Sequence, residues 1–106
     1  MFTINQEVTA VPMVEGVTRK VLSHSGSLMV CEITLGGGSV IASHAHPHEQ
    51  ITYVISGKCC YTVGEATQEV SAGDSVLIPG NVPHSIVVLE TMKVIDAFAP
   101  AREDFL

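Results

Sequence analysis

Short runs of β-branched and apolar residues, separated by glycine, proline and asparagine, are the feature that most constrains how this chain folds. The runs recur about every 8 to 12 residues, a spacing typical of a β-sandwich or β-barrel. No long segment repeats its apolar residues with the 3.6-residue period of a helix, so the sequence predicts an all-β fold. Predicted strands cover residues 28–35, 50–55, 58–63, 75–78, 84–89 and 93–98. Turns are predicted at residues 36–38, 56–57, 64–65, 72–74 and 79–81, and one helical turn at 100–104.

The composition predicts a single domain over residues 1–106 with a partly covered surface. Only 15% of the residues are charged and 46% are hydrophobic, whereas a typical soluble domain carries about 25% charged residues. Apolar residues also lie near both ends of the chain, among them Phe2, Ile4 and Phe105. We therefore expect a homodimer in which a second subunit covers part of this surface.

The charge balance argues against two classes of partner. The chain has 5 Lys and Arg residues against 11 Asp and Glu residues, a formal charge of -6, and its cations are not clustered. We expect neither nucleic acid nor a membrane as a partner, because both present anionic surfaces that bind clustered cations. No run approaches the ~20 apolar residues that cross a bilayer, and the amino terminus does not resemble a secretion signal. These features predict a cytoplasmic protein.

The cysteines predict no disulfide framework. Cys31, Cys59 and Cys60 are odd in number, and neighbouring residues on a strand point to opposite faces. The sequence therefore predicts reduced, partly buried thiols.

Histidines in two parts of the chain predict a metal site. His44 and His46 are two residues apart, so on a strand their imidazoles share a face and form a chelating pair. Gln50 begins a predicted strand, and its amide oxygen is an acceptable ligand for a metal ion. His84 follows a turn with two prolines that directs it into the fold. These four residues are the candidate ligands of one divalent ion, whose identity (Zn, Ni, Mn, Fe or Co) the ligand types leave open.

The remaining histidines have weaker signals. His24 is predicted to be a hydrogen-bonded structural residue. His48 has the same parity as His44 and His46 but follows Pro47. It is either a further ligand or a residue at the rim of the site.

The spacing of these residues resembles the two motifs of the cupin family. The first motif is matched by Gly38, His44, His46, Gln50 and Gly57, with glutamine where glutamate is commoner. The second is matched by Gly73, Pro79 and His84. The resemblance implies a small cupin barrel, that is, a double-stranded β-helix or jelly roll. It also implies one divalent ion held by His44, His46, Gln50 and His84.

The carboxyl end is similar to that of one group within this family. Residues 94–106 resemble the ending of the KdgF-like cupins of pectin and alginate breakdown. Those metal-dependent proteins convert 4,5-unsaturated uronate monosaccharides to linear keto-deoxyuronates. The resemblance therefore implies a sugar-acid substrate, with Asp96 and Arg102 as catalytic residues and Phe98 and Arg102 as substrate-binding residues.

The implied roles agree with the chemistry of the residues. A divalent ion held by neutral ligands keeps its full charge and acts as a Lewis acid. Asp96 would move a proton, and Arg102 would offer two donors to a substrate carboxylate. The alternatives are a salt bridge from Arg102 to Glu103 or Asp104 of a second subunit, and a purely structural Phe98.

Other functions fit a cupin with this site, because the fold alone does not give the function. One alternative is a different metal-dependent enzyme, such as a dioxygenase or isomerase. Another is a non-catalytic module that binds a sugar or an effector. A metal retained only for stability is a third.

Overall fold

The computed structural model describes all 106 residues and consists mostly of antiparallel strands, which confirms the predicted all-β fold. In chain order the strands are β1 Val11–Pro12, β2 Val17–His24, β3 Met29–Leu35, β4 Val40–His44, β5 Glu49–Val63, β6 Ala66–Ser71, β7 Ser75–Ile78 and β8 His84–Ala99. Single 3-10 turns lie at Asn5–Glu7 and Glu103–Phe105. Neither helical segment has the length and apolar character that a membrane crossing requires.

The two longest strands, β5 and β8, organise the whole sheet. They run antiparallel and pair from Glu49 opposite Ala99 to Val63 opposite His84. The first half of β5 also pairs with β7, and the second half of β8 pairs with β3, to which β2 and β1 are added. The other half of the fold is formed by β4, the start of β8, the end of β5, and β6. Each long strand thus belongs to both halves, as in a jelly roll.

The interior is lined by alternating residues of these strands. On β3 every second residue, from Met29 to Leu35, is buried, as the two-residue period of a strand requires. A cluster of 15 buried hydrophobic residues joins both halves, with Ile33 and Val94 from one half and Val88 from the other. The polar exceptions in this interior are His46, Gln50, Thr52 and His84.

The predicted turn at residues 56–57 is wrong, because β5 continues through it as a bulge. Gly57 has a φ of +86°, and a Cβ there would overlap the carbonyl oxygen of Thr91 and the side chain of Met92 on β8. A glycine that looks like a strand end in the sequence therefore lets β8 approach closely while β5 bends. Residues 84–89 and 93–98 likewise belong to one strand rather than two.

Other local differences are smaller. Strands β1, β2, β4 and β6 lie outside the predicted strands, because β1 is only two residues long and the other three mix polar and apolar residues without strong β patterning. The helical turn lies at Glu103–Phe105, slightly later than predicted.

All three cysteines are free, as expected. Burial raises the pKa of the Cys31 thiol to about 12. Burial also raises the pKa of the Cys59 thiol to about 11. Both thiols are therefore protonated at neutral pH.

Substituting Gly57 with Ala tests the close approach of β5 and β8. Gly38 has the same φ of +86° but open space around the position of a Cβ, which makes it a matched control. We expect Gly38→Ala to cost about 1 kcal/mol of unfolding free energy from the left-handed conformation alone. Gly57→Ala should cost about 3 kcal/mol or more, because overlap with β8 is added. Urea unfolding measures both, and equal losses would contradict the assigned contact.

Candidate metal and active site

Three of the predicted ligands converge in the structure. His44 ends β4, His84 begins β8, and the two residues face each other in the β4–β8 pairing. His46 lies in the bend between β4 and β5, not on a strand as predicted. The His84 ring centroid is 4.2 Å from that of His44 and 4.9 Å from that of His46. One ligand atom from each histidine lies within 4.8 Å of the other two, so this group could hold a metal ion.

The backbone sets which nitrogen each imidazole presents. The Nδ1 atoms of His44, His46 and His84 lie 3.0, 3.1 and 2.9 Å from the carbonyl oxygens of Ala42, His48 and Val82. A carbonyl oxygen only accepts hydrogen bonds, so each Nδ1 carries the proton and each Nε2 carries a lone pair. The Nε2 atom of His84 is buried without a hydrogen-bond partner. A buried lone pair of this kind is what a metal ion requires.

Burial also favours the uncharged form of two of these histidines. Loss of solvent lowers the pKa of His46 and of His84 below the usual value of 6.5. Both imidazoles are therefore neutral at pH 7, the form that binds metal ions.

Gln50 brings an amide oxygen to the same centre. Its side chain is buried, and its Oε1 atom is 3.0 Å from the Nε2 atom of His46. Because the His46 proton is on Nδ1, the two facing atoms are both acceptors. A cation bound by both satisfies this arrangement, so three imidazoles and one amide fit a divalent ion.

The two remaining histidines lie outside the three-histidine group. The side chain of His48 packs edge-on beside His46, with ring centroids 5.4 Å apart. Its carbonyl oxygen accepts the His46 hydrogen bond. His24 is exposed at the end of β2, where its Nδ1 atom bonds the carbonyl of Leu22.

Asp96 points into the interior from β8, directly opposite Thr52 of β5. Its Oδ1 atom accepts a 2.6 Å hydrogen bond from the Thr52 hydroxyl. Burial raises the pKa of this carboxyl from 3.8 to about 6, against the lowering effect of its hydrogen bonds and of Arg102. Asp96 is therefore an interior acid close to the histidines, which is suited to proton transfer.

Phe98 and Arg102 form the wall next to Asp96. Phe98 is 2% exposed, and its ring centroid lies 5.9 Å from that of His46. The guanidinium carbon of Arg102 lies 5.3 Å from the Phe98 centroid and 4.1 Å from that of Phe105. Its Nη2 and Nε atoms also donate to Asp104, at 2.7 and 3.2 Å. The acidic partner of Arg102 thus lies on the same chain.

A cavity joins these groups. Its volume is about 60 Å³. The polar and aromatic residues that line it are His44, Gln50, Tyr61, His84, Asp96, Phe98, Arg102 and Phe105. Three of the four predicted metal ligands, together with the acid and the arginine, therefore surround one space.

Three residues that contact the residues of this site were missed in the sequence. Thr52 has the same strand parity as Gln50, which was a usable signal. Tyr61 follows the bulge at Gly57, where counting parity along β5 fails. Arg19 lies on β2, which was not predicted. Its guanidinium carbon is 4.3 Å from the Phe105 centroid, and its Nε atom is buried without a partner.

Comparison with known proteins identifies the family. The model of the cupin domain family matches residues 31–98. This chain belongs to the cupin family. The cupin is 31% identical to the pectin degradation protein KdgF of Dickeya dadantii over 107 aligned residues, which cover 99% of this chain and 97% of that protein.

Solved structures give the same result. The structure of KdgF from a Halomonas species matches this cupin with a TM-score of 0.95 and 33% identity, covering 100% of this chain and 98% of the other. An RmlC-like cupin from Shewanella frigidimarina matches with a TM-score of 0.95 and 32% identity, covering 99% and 95% of the two chains. The jelly-roll barrel implied by the sequence motifs is therefore confirmed.

Removing two histidines should empty the metal site. We expect the double variant His44→Ala, His46→Ala to lose the bound metal, because two of the three imidazoles disappear. His24→Ala is the control and should retain it. Elemental analysis of the purified proteins measures the metal content. Full occupancy in the double variant would show that the ion binds elsewhere.

The buried acid should destabilise the metal-free cupin at neutral pH. The pKa of Asp96 is about 6 in the folded protein, against an ordinary value of 3.8. The free energy of unfolding of the metal-free cupin therefore falls as the pH rises between those values. After chelation, we expect Asp96→Asn to be more stable than the native protein by at most about 3 kcal/mol at about pH 7.5. The difference should shrink toward about pH 5, where the carboxyl is protonated in the fold.

Urea unfolding at each pH measures this difference. Glu65→Gln, on an exposed turn, is the control and should leave the pH dependence unchanged. An Asp96→Asn variant less stable than the native protein at neutral pH would contradict the assigned burial cost.

Proposed function

We propose that this cupin is a metal-dependent enzyme that opens the ring of 4,5-unsaturated uronate monosaccharides to give linear keto-deoxyuronates. One observation carries the proposal: a single cavity is lined by His44, His84, Asp96 and Arg102. Groups suited to metal binding, proton transfer and carboxylate binding therefore face the same space. The similarity to KdgF, a pectin degradation protein, extends over 99% of this chain and supports this substrate class.

The proposed cofactor is one divalent ion held by His44, His46, Gln50 and His84. Zn, Ni, Mn, Fe and Co are all compatible with imidazole and amide ligands. When bound, such an ion supplies Lewis acidity to a hydroxyl or ring oxygen of the sugar. Since all four ligands are neutral, none of them offsets its charge.

Asp96 would accept and return the proton in the ring opening. Its carboxylate takes the proton of the anomeric hydroxyl, and that oxygen becomes the aldehyde as the bond from C1 to the ring oxygen breaks. The ring oxygen keeps the electron pair of this bond and becomes the oxygen of an enolate. Asp96 then delivers its proton to C4, which converts the enolate to a ketone. The product is an isomer of the substrate, so no further reactant is consumed.

Arg102 is the proposed partner of the substrate carboxylate. Its side chain is 15% exposed, and Asp104 occupies its Nε and Nη2 atoms, which leaves Nη1 free. Arg19 contacts the same Phe105 ring and forms no ion pair. We infer that Arg19 contributes a second positive charge near the carboxylate.

Loss of the ultraviolet absorbance of an unsaturated uronate tests this function. The absorbance disappears with the double bond, so it follows the proposed reaction directly. We expect Asp96→Asn to lower kcat by about 10²- to 10⁴-fold while keeping its metal. Arg102→Ala should raise KM about tenfold or more, because one charged partner of the carboxylate is lost. Lys20→Gln, a cation bonded to Asn5 away from the cavity, is the control and should leave both constants unchanged.

Two results would contradict the proposal. An active native enzyme that keeps its rate in both Asp96→Asn and Arg102→Ala would exclude the assigned roles. A metal-loaded native protein that leaves the absorbance unchanged would exclude the reaction.

Two further expectations stay predictions. We propose that residues 1–106 act as one cupin domain. The outer face of the sheet exposes Ile51, Tyr53 and Leu77, which supports the expected homodimer. The molar mass in solution would test it.

A further inference from the structure

Thr52 is the junction between the candidate metal centre and the candidate acid. It lies on the interior face of β5 and is 1% exposed. Its hydroxyl oxygen is 3.2 Å from Gln50 Nε2, 3.1 Å from the Tyr61 hydroxyl and 2.6 Å from Asp96 Oδ1. Three polar groups that reach the interior from different positions thus meet at one oxygen.

The direction of these hydrogen bonds follows from the number of hydrogen bonds that a hydroxyl group can donate and accept. A hydroxyl donates one hydrogen bond and accepts two. The Asp96 carboxylate only accepts, so the single proton of Thr52 goes to Asp96. The oxygen of Thr52 must then accept from both Gln50 and Tyr61. With these three hydrogen bonds, the donor and both acceptor sites of the Thr52 hydroxyl are occupied.

This direction decides which end of the Gln50 amide faces the histidines. Only the nitrogen of an amide can donate to Thr52, so Nε2 turns toward Thr52 and Oε1 turns toward His46, 3.0 Å away. With the opposite orientation, an amide N–H would lie at the metal centre. An N–H group has no lone pair to offer a metal ion.

We propose that Thr52 is a positioning residue that directs the carbonyl oxygen of Gln50 at the metal centre and holds the Asp96 carboxylate beside it. The Gln50 part requires only the metal site. The Asp96 part rests on the proposed function. Because one hydroxyl serves both groups, the position of the acid is linked to the orientation of the ligand.

The glutamine makes this role necessary. A glutamate at position 50 would present equivalent oxygens whichever way it turned, whereas the two ends of an amide differ. In this cupin the amide orientation therefore matters, and the Thr52 hydroxyl, which accepts from Gln50 Nε2 and donates to Asp96, sets it from the side away from the histidines.

The decisive comparison is between Thr52→Val and Thr52→Ser. Valine keeps the shape of threonine and removes the hydroxyl, whereas serine keeps the hydroxyl. Thr62→Val makes the same change on the same strand, at a hydroxyl that bonds Thr67 near the surface, and is the matched control. Thermal melting of the metal-free variants establishes that each is folded.

Two quantities are measured: the dissociation constant of Zn²⁺ by competition with a chelator, and kcat and KM for the unsaturated uronate. We expect Thr52→Val to weaken Zn²⁺ binding by about 10- to 100-fold and to lower kcat by a similar factor, because partners of metal ligands have effects of this size. KM should change little. Thr52→Ser and Thr62→Val should both stay within about threefold of the native protein.

A double substitution isolates the orientation of the amide. In a Gln50→Glu background both ends of the side chain are oxygens that can bind the ion, so its orientation no longer matters. Adding Thr52→Val to this background should therefore change Zn²⁺ affinity by less than about threefold. A loss as large as in the native background would show that Thr52 acts by packing, and would overturn the proposal. If Thr52→Val does not fold, Thr52→Cys, with its weakly bonding thiol, replaces it under the same expectations.

The outcomes separate this inference from the proposed function. Native Zn²⁺ affinity and native kcat in Thr52→Val, or equal defects in Thr52→Ser and Thr52→Val, would overturn the positioning role. A native protein that binds Zn²⁺ but does not consume the uronate would overturn the proposed function instead. The Zn²⁺ affinities would then decide the role of Thr52 by themselves.

Discussion

The antiparallel pairing of β5 with β8 is the constraint on which the rest of this structure depends. It places Gln50 directly opposite Phe98 and Thr52 directly opposite Asp96. These cross-strand pairs face the interior, where the short bond between Thr52 and Asp96 forms. A slip of one residue would turn every side chain of one strand to the other face. The bulge at Gly57 allows both strands to bend, so that their other halves bring Tyr61 and His84 to the same space.

The polar interior is stable because its groups satisfy one another. Backbone carbonyls take the Nδ1 protons of His44, His46 and His84, and Thr52 satisfies Asp96. The buried side-chain atoms that remain unsatisfied are Nε2 of His84, which faces the candidate metal centre, Nδ1 of His48 and Nε of Arg19. Unpaired acceptors in a buried site carry a free-energy cost unless a partner is bound. The proposed metal ion is such a partner for His84. A lone pair that the fold leaves unpaired is thus one that the proposed chemistry uses as a metal ligand.

Much of the site was readable in the sequence because its signals are local. The pair His44 and His46 lies within a few residues, and Gln50 follows closely. His84 was indicated by the turn with two prolines before it, whereas Asp96 needed the family resemblance, since nothing in the chain shows how distant segments meet. Arg19 escaped notice because β2 lacks a clear pattern, and the partner of Arg102 proved to be Asp104 of the same chain. Glycine at position 57 suggested a turn, because a sequence does not distinguish a turn from a bulge.

By itself the sequence determined the all-β class, the cupin motifs, the reduced cysteines and the types of ligand available. These follow from composition, alternation and spacing, which act over a few residues. Only the tertiary structure decided which nitrogen each imidazole presents, which end of Gln50 faces inward, and which acid lies beside the histidines. The nitrogens and the amide are set by groups two residues along the chain, in backbone conformations that only the folded barrel fixes. The acid is placed by a hydrogen bond between segments far apart in the chain. The bond from Thr52 to Asp96 spans 44 residues, and only the register of β5 against β8 brings its two ends together.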